Sequence, residues 1–158
     1  MPKKDRIDAT DACVLLALNA HPRATTIALA DRVGLSRNTV QARLGTLEDK
    51  LGAFEHRVSP ASLGYPLTAF VTTQVTQRRL DDVAAALGEV PEVLEVQGVS
   101  GQTDLMVHVV AADADDLYRV AGLILAIPGV ERTSTALVMR QLVDYRITPL
   151  LKRIADEG

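Results

Sequence analysis

Apolar residues recur at helical spacing through residues 10–51 and at strand spacing from residue 67 onward. Val14, Leu15 and Leu18 mark the buried stripe of a first helix, predicted to start near Thr10 and Asp11 and to close before Pro22. Leu29, Ala30 and Val33 mark a second stripe, and Val40, Leu44 and Leu47 a third at i, i+4, i+7. Gly34 lies between them, where a tight turn calls for a positive φ that glycine adopts cheaply. Thr25 and Ser36 stand as N-caps of the second and third helices, each with a hydroxyl able to accept a backbone N–H. The pattern from Thr25 to Leu47 is a helix-turn-helix. Its inner face is apolar, so Arg37, Asn38, Gln41 and Ala42 point outward near the start of the third helix. That end of such a helix is the part that meets base edges in a DNA groove.

Ala53–Val58 reads as a short extended segment, a wing or connecting strand carrying His56 and Arg57. Residues 59–66, with two prolines among turn formers, read as the linker between an N-terminal domain over 1–58 and a C-terminal domain over 67–158. In that second domain Leu67–Val75 alternates as a strand, with Ala69, Val71, Thr73 and Val75 on one face and Phe70 and Thr72 on the other. Leu80, Val83, Ala84 and Leu87 follow at helical spacing, stopped by Gly88 and Pro91. Val93–Val99 and Leu105–Ala111 read as strands around a Ser100–Thr103 turn. Asp113 caps a helix with Leu117, Val120, Ala121 and Ile124 inward; Val130–Val143 reads as a long last strand and Pro149–Ala155 as a short terminal helix. The order βαββαβ is the ferredoxin-like arrangement, with both helices on one face of a four-stranded sheet. In Leu105–Val110 both alternation faces are largely apolar, so the second sheet face is expected to be buried by another subunit, most simply in a two-fold dimer. The predicted fold class is α+β: a winged helix-turn-helix domain followed by a ferredoxin-like domain.

Composition changes this picture in two places. The chain is 47% hydrophobic but only 3% aromatic and has no Trp, so its cores must be built from Val, Leu, Ile and Ala. The net charge of −3 is unevenly spread: residues 1–58 hold nine Lys/Arg against seven Asp/Glu, and residues 59–158 hold eight against thirteen. The N-terminal part is thus net positive and suited to phosphates, while the rest is acidic. No apolar run reaches membrane-spanning length, no secretory signal is present, and the lone Cys13 forms no disulfide framework, so a cytoplasmic location is expected.

Arg37 and Arg43 can pair with guanine or bridge a phosphate, and Asn38 and Gln41 can read adenine edges. The plainer alternative is a solvated helix face, but Ser36–Arg43 contains no acid. Thr25 and Thr26 can offer donors to phosphate, or serve only in capping. Lys3, Lys4 and Arg6 can lie along the duplex or form a solvated terminus. The residues expected against DNA are therefore Thr25, Thr26, Ser36, Arg37, Asn38, Thr39, Gln41 and Arg43. The three histidines, His21, His56 and His108, are scattered without a second ligand at metal spacing, so no metal site is expected. Cys13 is expected to pack. No catalytic residues and no cofactor are expected: the chain has no phosphate-cradling loop and no nucleophile–base order.

In order, these motifs resemble the Lrp/AsnC (feast/famine) transcriptional regulators over nearly the whole chain. Arg6–Asp11 is similar to the family's acid-rich start, and Leu29–Ser36 to its LAxRVGLS core. Ser59–Gly64 resembles the DPxxLG link, and Leu67–Val71 the first strand of the effector domain. Pro91–Glu95 matches PEVxE, Val99–Asp104 matches VxGxxD and Gly129–Thr135 matches GVxxTxT. The stretch Leu51–His56 departs from the family's wing, being shorter and altered.

The resemblance implies a sequence-specific regulator of transcription controlled by a small amino-acid-like effector. Its partners would be a pseudo-palindromic operator and further copies of the chain, as a dimer assembling to a tetramer or octamer. The effector site would lie between subunits at Ser100, Gly101, Gln102, Thr103 and Asp104 with Thr133 and Thr135. Asp104 can meet an ammonium, and the turn amides with the threonine hydroxyls can meet a carboxylate. Without the resemblance, the same residues are ordinary hairpin and strand formers. Two rival functions remain at this stage. A haem-pathway decarboxylase of similar two-domain architecture would need converging basic and histidine residues. A sensor without DNA binding is opposed by the intact Ser36–Arg43 face.

Overall fold

The computed structural model describes residues 6–157, which divide into two compact units, one of residues 6–53 with 143–157 and one of residues 54–142. In the first unit lie α1 (Ala9–Ala20), α2 (Thr26–Val33) and α3 (Arg37–Leu47). Helix α1 starts earlier than the pattern predicts. Its N-cap is Asp8 rather than Thr10, because Asp8 and Asp11 form a reciprocal capping box: Asp11 N–H donates to Asp8 at 2.8 Å and Asp8 N–H to Asp11 at 3.2 Å. Gly34 closes α2 with φ 68°, the left-handed conformation that its place in the turn required. Val14, Leu29, Ala30 and Val40 form the dry contact of the three helices. Cys13, expected inside, is exposed on α1.

The terminal helix α6 (Thr148–Asp156) belongs to this first unit and not, as expected, to the sheet domain. Its one buried side chain, Leu151, packs with Ala12, Leu15 and Leu47, and Ile154 and Ala155 flank the contact. A narrow apolar stripe on a nine-residue helix has to be covered somewhere, and α1 with the end of α3 offers the matching surface.

The second unit is built on β1 (Leu67–Val75), α4 (Leu80–Gly88), β2 (Val93–Gly98), β3 (Leu105–Ala111), α5 (Ala114–Leu125) and β4 (Val130–Leu137). All pairings are antiparallel and the sheet order is β2-β3-β1-β4. Val83 and Leu87 of α4 and Val120 and Ile124 of α5 are fully buried against Ala69, Val71, Val107 and Val109 on one sheet face. The other face carries Thr68, Phe70, Thr72 and Gln74 of β1 beside Met106 and His108 of β3, in the register Phe70 to His108 and Thr72 to Met106. The rings of Phe70 and His108 stack there at 4.9 Å.

Two further expectations are corrected. The segment Ala53–Val58 is not extended: Phe54–Arg57 is a 3₁₀ turn with no buried residue, and no strand lies beside it among the described residues. An extended segment without a partner leaves its backbone groups unpaired, whereas the turn closes Val58 N–H onto Glu55 C=O. Strand β4 ends at Leu137 rather than Val143. The ladder to β1 runs out just beyond it: Leu137 pairs with Ala69, Val138 N–H donates to Thr68 C=O at 2.8 Å, and Pro66 before Leu67 has no N–H to return. The linker around residues 59–66 contains a 3₁₀ turn over Pro60–Leu63 that ends at Gly64.

Leu151→Ala tests the assignment of α6. Removing this buried side chain is expected to cost the helical unit about 2–5 kcal/mol. Calorimetry should show the helical unit melting earlier while the sheet unit's transition stays in place; the reverse pattern would place α6 with the sheet.

Candidate nucleic-acid interface and effector cavity

Helix α3 is held at its start by its own cap. Ser36 Oγ accepts Thr39 N–H at 3.1 Å and shares a 2.8 Å hydrogen bond with Thr39 Oγ1. Thr25 Oγ1 accepts Ala28 N–H at 3.2 Å and so caps α2. Val40 and Leu47 are fully buried, which sets the rotation of α3 about its axis. Arg37, Asn38, Thr39, Gln41 and Ala42 are then exposed. Thr26 Oγ1 donates to Gln41 Oε1 at 3.3 Å, so the start of α2 and the outer face of α3 meet at that point. Of the residues expected against DNA, Arg37, Asn38 and Gln41 come together on one exposed face, with Thr26 at its edge. Ser36, Thr39 and Thr25 are engaged in capping. Lys3 and Lys4 lie outside the described residues.

Arg43 is a correction. It lies six residues beyond Arg37, which at 100° per residue turns it about 120° away from Arg37 and towards α1. There its guanidinium pairs with Asp8 and, at 3.0 Å, with Asp11. Asp11 is buried, and a buried carboxylate without a partner is strongly destabilising. Arg43 therefore ties α3 to α1. Its hydrogen bond, with help from the Asp11 N–H, holds the Asp8 carboxyl below the usual aspartate range. Asp8 and Asp11 in turn raise the Arg43 guanidinium above its ordinary value. Two acids three residues apart at a helix start are the sequence signal that could have revealed this pairing.

In the second unit the turn after β2 is pinned from below. Asp104 N–H donates to Thr73 C=O at 2.9 Å, and Val99 N–H donates to Asp104 C=O at 2.9 Å. The Asp104 carboxylate accepts Val75 N–H at 2.9 Å and Gln77 Nε2 at 2.8 Å. One oxygen thus binds the end of β1 and the other the link after it, so both carboxylate oxygens, expected to meet an ammonium, hold the turn in place. Gly101, at φ 118°, takes a backbone conformation that L side chains rarely adopt, so the turn needs glycine there. Gln74 Nε2 donates to Gln102 C=O at 2.6 Å and ties the other side of the turn to β1.

Beside this turn lies a cavity of about 210 Å³ lined by Thr72, Gln74, Gln102, Thr103, Arg132, Thr133 and Ser134. Gln102, Thr103 and Thr133 are shared with the expected effector set. Ser100 and Gly101 shape the turn without lining the cavity. Thr135, opposite Val71, does not line the cavity. Thr72, Gln74, Arg132 and Ser134 were missed. They meet because Thr72 pairs with Ser134 and Gln74 with Arg132, a register between strands far apart in the chain. Among the described residues no cluster of His, Cys, Asp and Glu could hold a metal ion, and no helix is long and apolar enough to cross a membrane.

A model of the AsnC-type helix-turn-helix domain matches residues 7–48, and a model of the Lrp/AsnC ligand-binding domain matches residues 68–148. The proline dehydrogenase transcriptional activator of Rhodobacter capsulatus is 32% identical over 146 residues, covering 89% of this chain and 95% of that protein. The HTH-type transcriptional regulator FL11 of Pyrococcus horikoshii is 28% identical over 136 residues, covering 85% and 90%. Among solved structures, E. coli AsnC superposes with a TM-score of 0.81 at 25% identity, covering 91% of this chain and 99% of that one. The feast or famine regulatory protein of M. tuberculosis, solved with L-methionine, gives 0.76 at 30% identity over 89% and 97%.

Arg43→Met tests the α1–α3 tie. Because Arg43 is about a third exposed, the expected loss is about 1–3 kcal/mol at neutral pH rather than that of a fully buried pair. The native Asp8 carboxyl titrates below its unfolded value, so its contribution is complete above pH about 4 and is lost as pH falls through the depressed value. The gap between parent and variant, followed by chemical denaturation, should therefore close on acidification. A gap that widens in acid would contradict the pairing.

Proposed function

Because the chain belongs to the Lrp/AsnC family and is a helix-turn-helix regulator of transcription, we propose that it reads operator DNA with Arg37, Asn38 and Gln41 and is governed by a small amino-acid-like effector. The observation that carries this reading is the exposed, acid-free face of α3 between its Ser36 cap and Gln41. Arg37 can donate two parallel hydrogen bonds to a guanine edge, and the amides of Asn38 and Gln41 complement adenine. Thr26, beside Gln41, and the N-terminus of α2 suit a phosphate.

One such helix contacts too few bases for a useful site, so the reading requires two copies on a pseudo-palindrome with half-sites set by helical turns. The sheet face bearing Phe70, Met106 and His108 suits a two-fold contact. Beyond β4 in the same unit, Met139 and Leu142 are 86% and 75% exposed and add apolar side chains available to a partner copy. The effector would occupy the cavity beside Gly101, and two solved neighbours carry L-methionine. An effector changes DNA affinity only by favouring one of two arrangements of the copies over the other. Relatives named as regulators favour this function over an enzyme.

Arg37→Ala and Gln41→Ala are each expected to weaken binding to a genomic fragment selected by the parent protein by about 1–3 kcal/mol. Fluorescence anisotropy at several salt concentrations measures this. Unchanged affinity in both variants, or a monomer by analytical ultracentrifugation, would overturn the proposal.

A further inference from the structure

The cavity beside Gly101 has an unusual wall for a site that takes amino acids. No aliphatic side chain lines it: β1 contributes a hydroxyl and an amide from Thr72 and Gln74, and β4 contributes Arg132 and Ser134. Arg132 is the one ionised side chain in that wall. Among the described residues no carboxylate pairs with it. Glu131, next to Arg132 on β4, and Asp104, at the end of the turn, hydrogen-bond to other groups. Glu131 accepts Thr76 Oγ1 at 2.9 Å, and Asp104 accepts Val75 N–H and Gln77 Nε2. The site therefore presents one guanidinium without an ion-pair partner among the described residues, in an otherwise uncharged lining.

We propose that this cavity selects a short dicarboxylate, with Arg132 as the residue that determines specificity; this rests on the cavity being the effector site. One carboxylate meets the backbone N–H groups of Gln102 and Thr103, the turn residues that line the cavity. The second meets the Arg132 guanidinium, which offers two parallel N–H donors to a planar carboxylate. The hydroxyls of Thr72 and Ser134 border the same position. An apolar effector such as methionine would strip water from Arg132 without replacing its hydrogen bonds. Acidic amino acids and the corresponding 2-oxo acids share this dicarboxylate chemistry. They differ in the α-ammonium, for which Asp104 is not free.

Isothermal titration of the full-length protein with L-glutamate, L-aspartate, 2-oxoglutarate, L-methionine and L-leucine tests the proposal. At least one of the three dicarboxylates should bind more tightly than methionine and leucine. The preference between L-glutamate and 2-oxoglutarate shows whether the ammonium is read. Arg132→Gln should weaken the dicarboxylate about tenfold or more, and Arg132→Lys should recover part of that loss. Arg132 is exposed on a strand, so the unliganded melting temperature of both variants should match the parent. Tighter binding of methionine or leucine, or dicarboxylate binding unaffected by Arg132→Gln, would overturn the dicarboxylate class and leave the effector site standing. Binding of none of the five ligands would remove the effector site together with this proposal.

Discussion

Asp11 is a carboxylate taken out of water inside a helical unit, and such a group is tolerated only with a cation and hydrogen bonds beside it. Arg43 supplies the cation, and the capping box with Asp8 supplies the geometry. The consequence reaches well beyond one ion pair. Apolar contacts at Val40 and Leu47 press α3 inward but are non-directional, whereas a guanidinium held by two carboxylates has a defined orientation. Together they leave α3 one rotation about its axis. In that rotation Arg37, Asn38 and Gln41 face solvent.

A comparable constraint governs the sheet unit. Antiparallel pairing of β1 with β4 places Gln74 opposite Arg132 and Thr72 opposite Ser134. A slip of one residue would turn Arg132 into the helix-covered face and bring Thr133 out in its place. In the register observed, Val71 and Thr73 are fully buried on the other side of β1. The core and the cavity are thus two readings of a single register. Asp104 and Gln74 then fasten the Gly101 turn to the same strand, so the turn amides and the cavity wall are held as one piece.

The proposed function needs both the α3 face and the cavity to be rigid in themselves, so that a ligand biases the arrangement of copies instead of deforming either one. Polar side chains able to serve a ligand are instead used to build these rigid parts. Thr25, Ser36 and Thr39 close helix ends, and Asp104 secures a turn. What remains for partners is a short list with unmet hydrogen-bonding capacity, chiefly Arg37 and Asn38 on α3 and Arg132 on β4.

Much of this was legible in the order of residues. Helix caps at Thr25 and Ser36, the turn glycine Gly34, the alternation of Leu67–Val75 and the βαββαβ order depend on neighbours within a few positions, and local chemistry suffices to read them. Contacts across long separations were not legible. Arg43 looked like a reading residue because its distance from Asp8 spans 35 positions. Arg132, Gln74, Thr72 and Ser134 gave no joint signal because only strand register assembles them. The terminal helix was assigned to the wrong unit, since an apolar stripe announces that it will be buried but not against what. Short-range stereochemistry is written into each segment, whereas the choice among equally apolar or equally charged partners is made by whichever packing leaves the fewest buried groups unsatisfied.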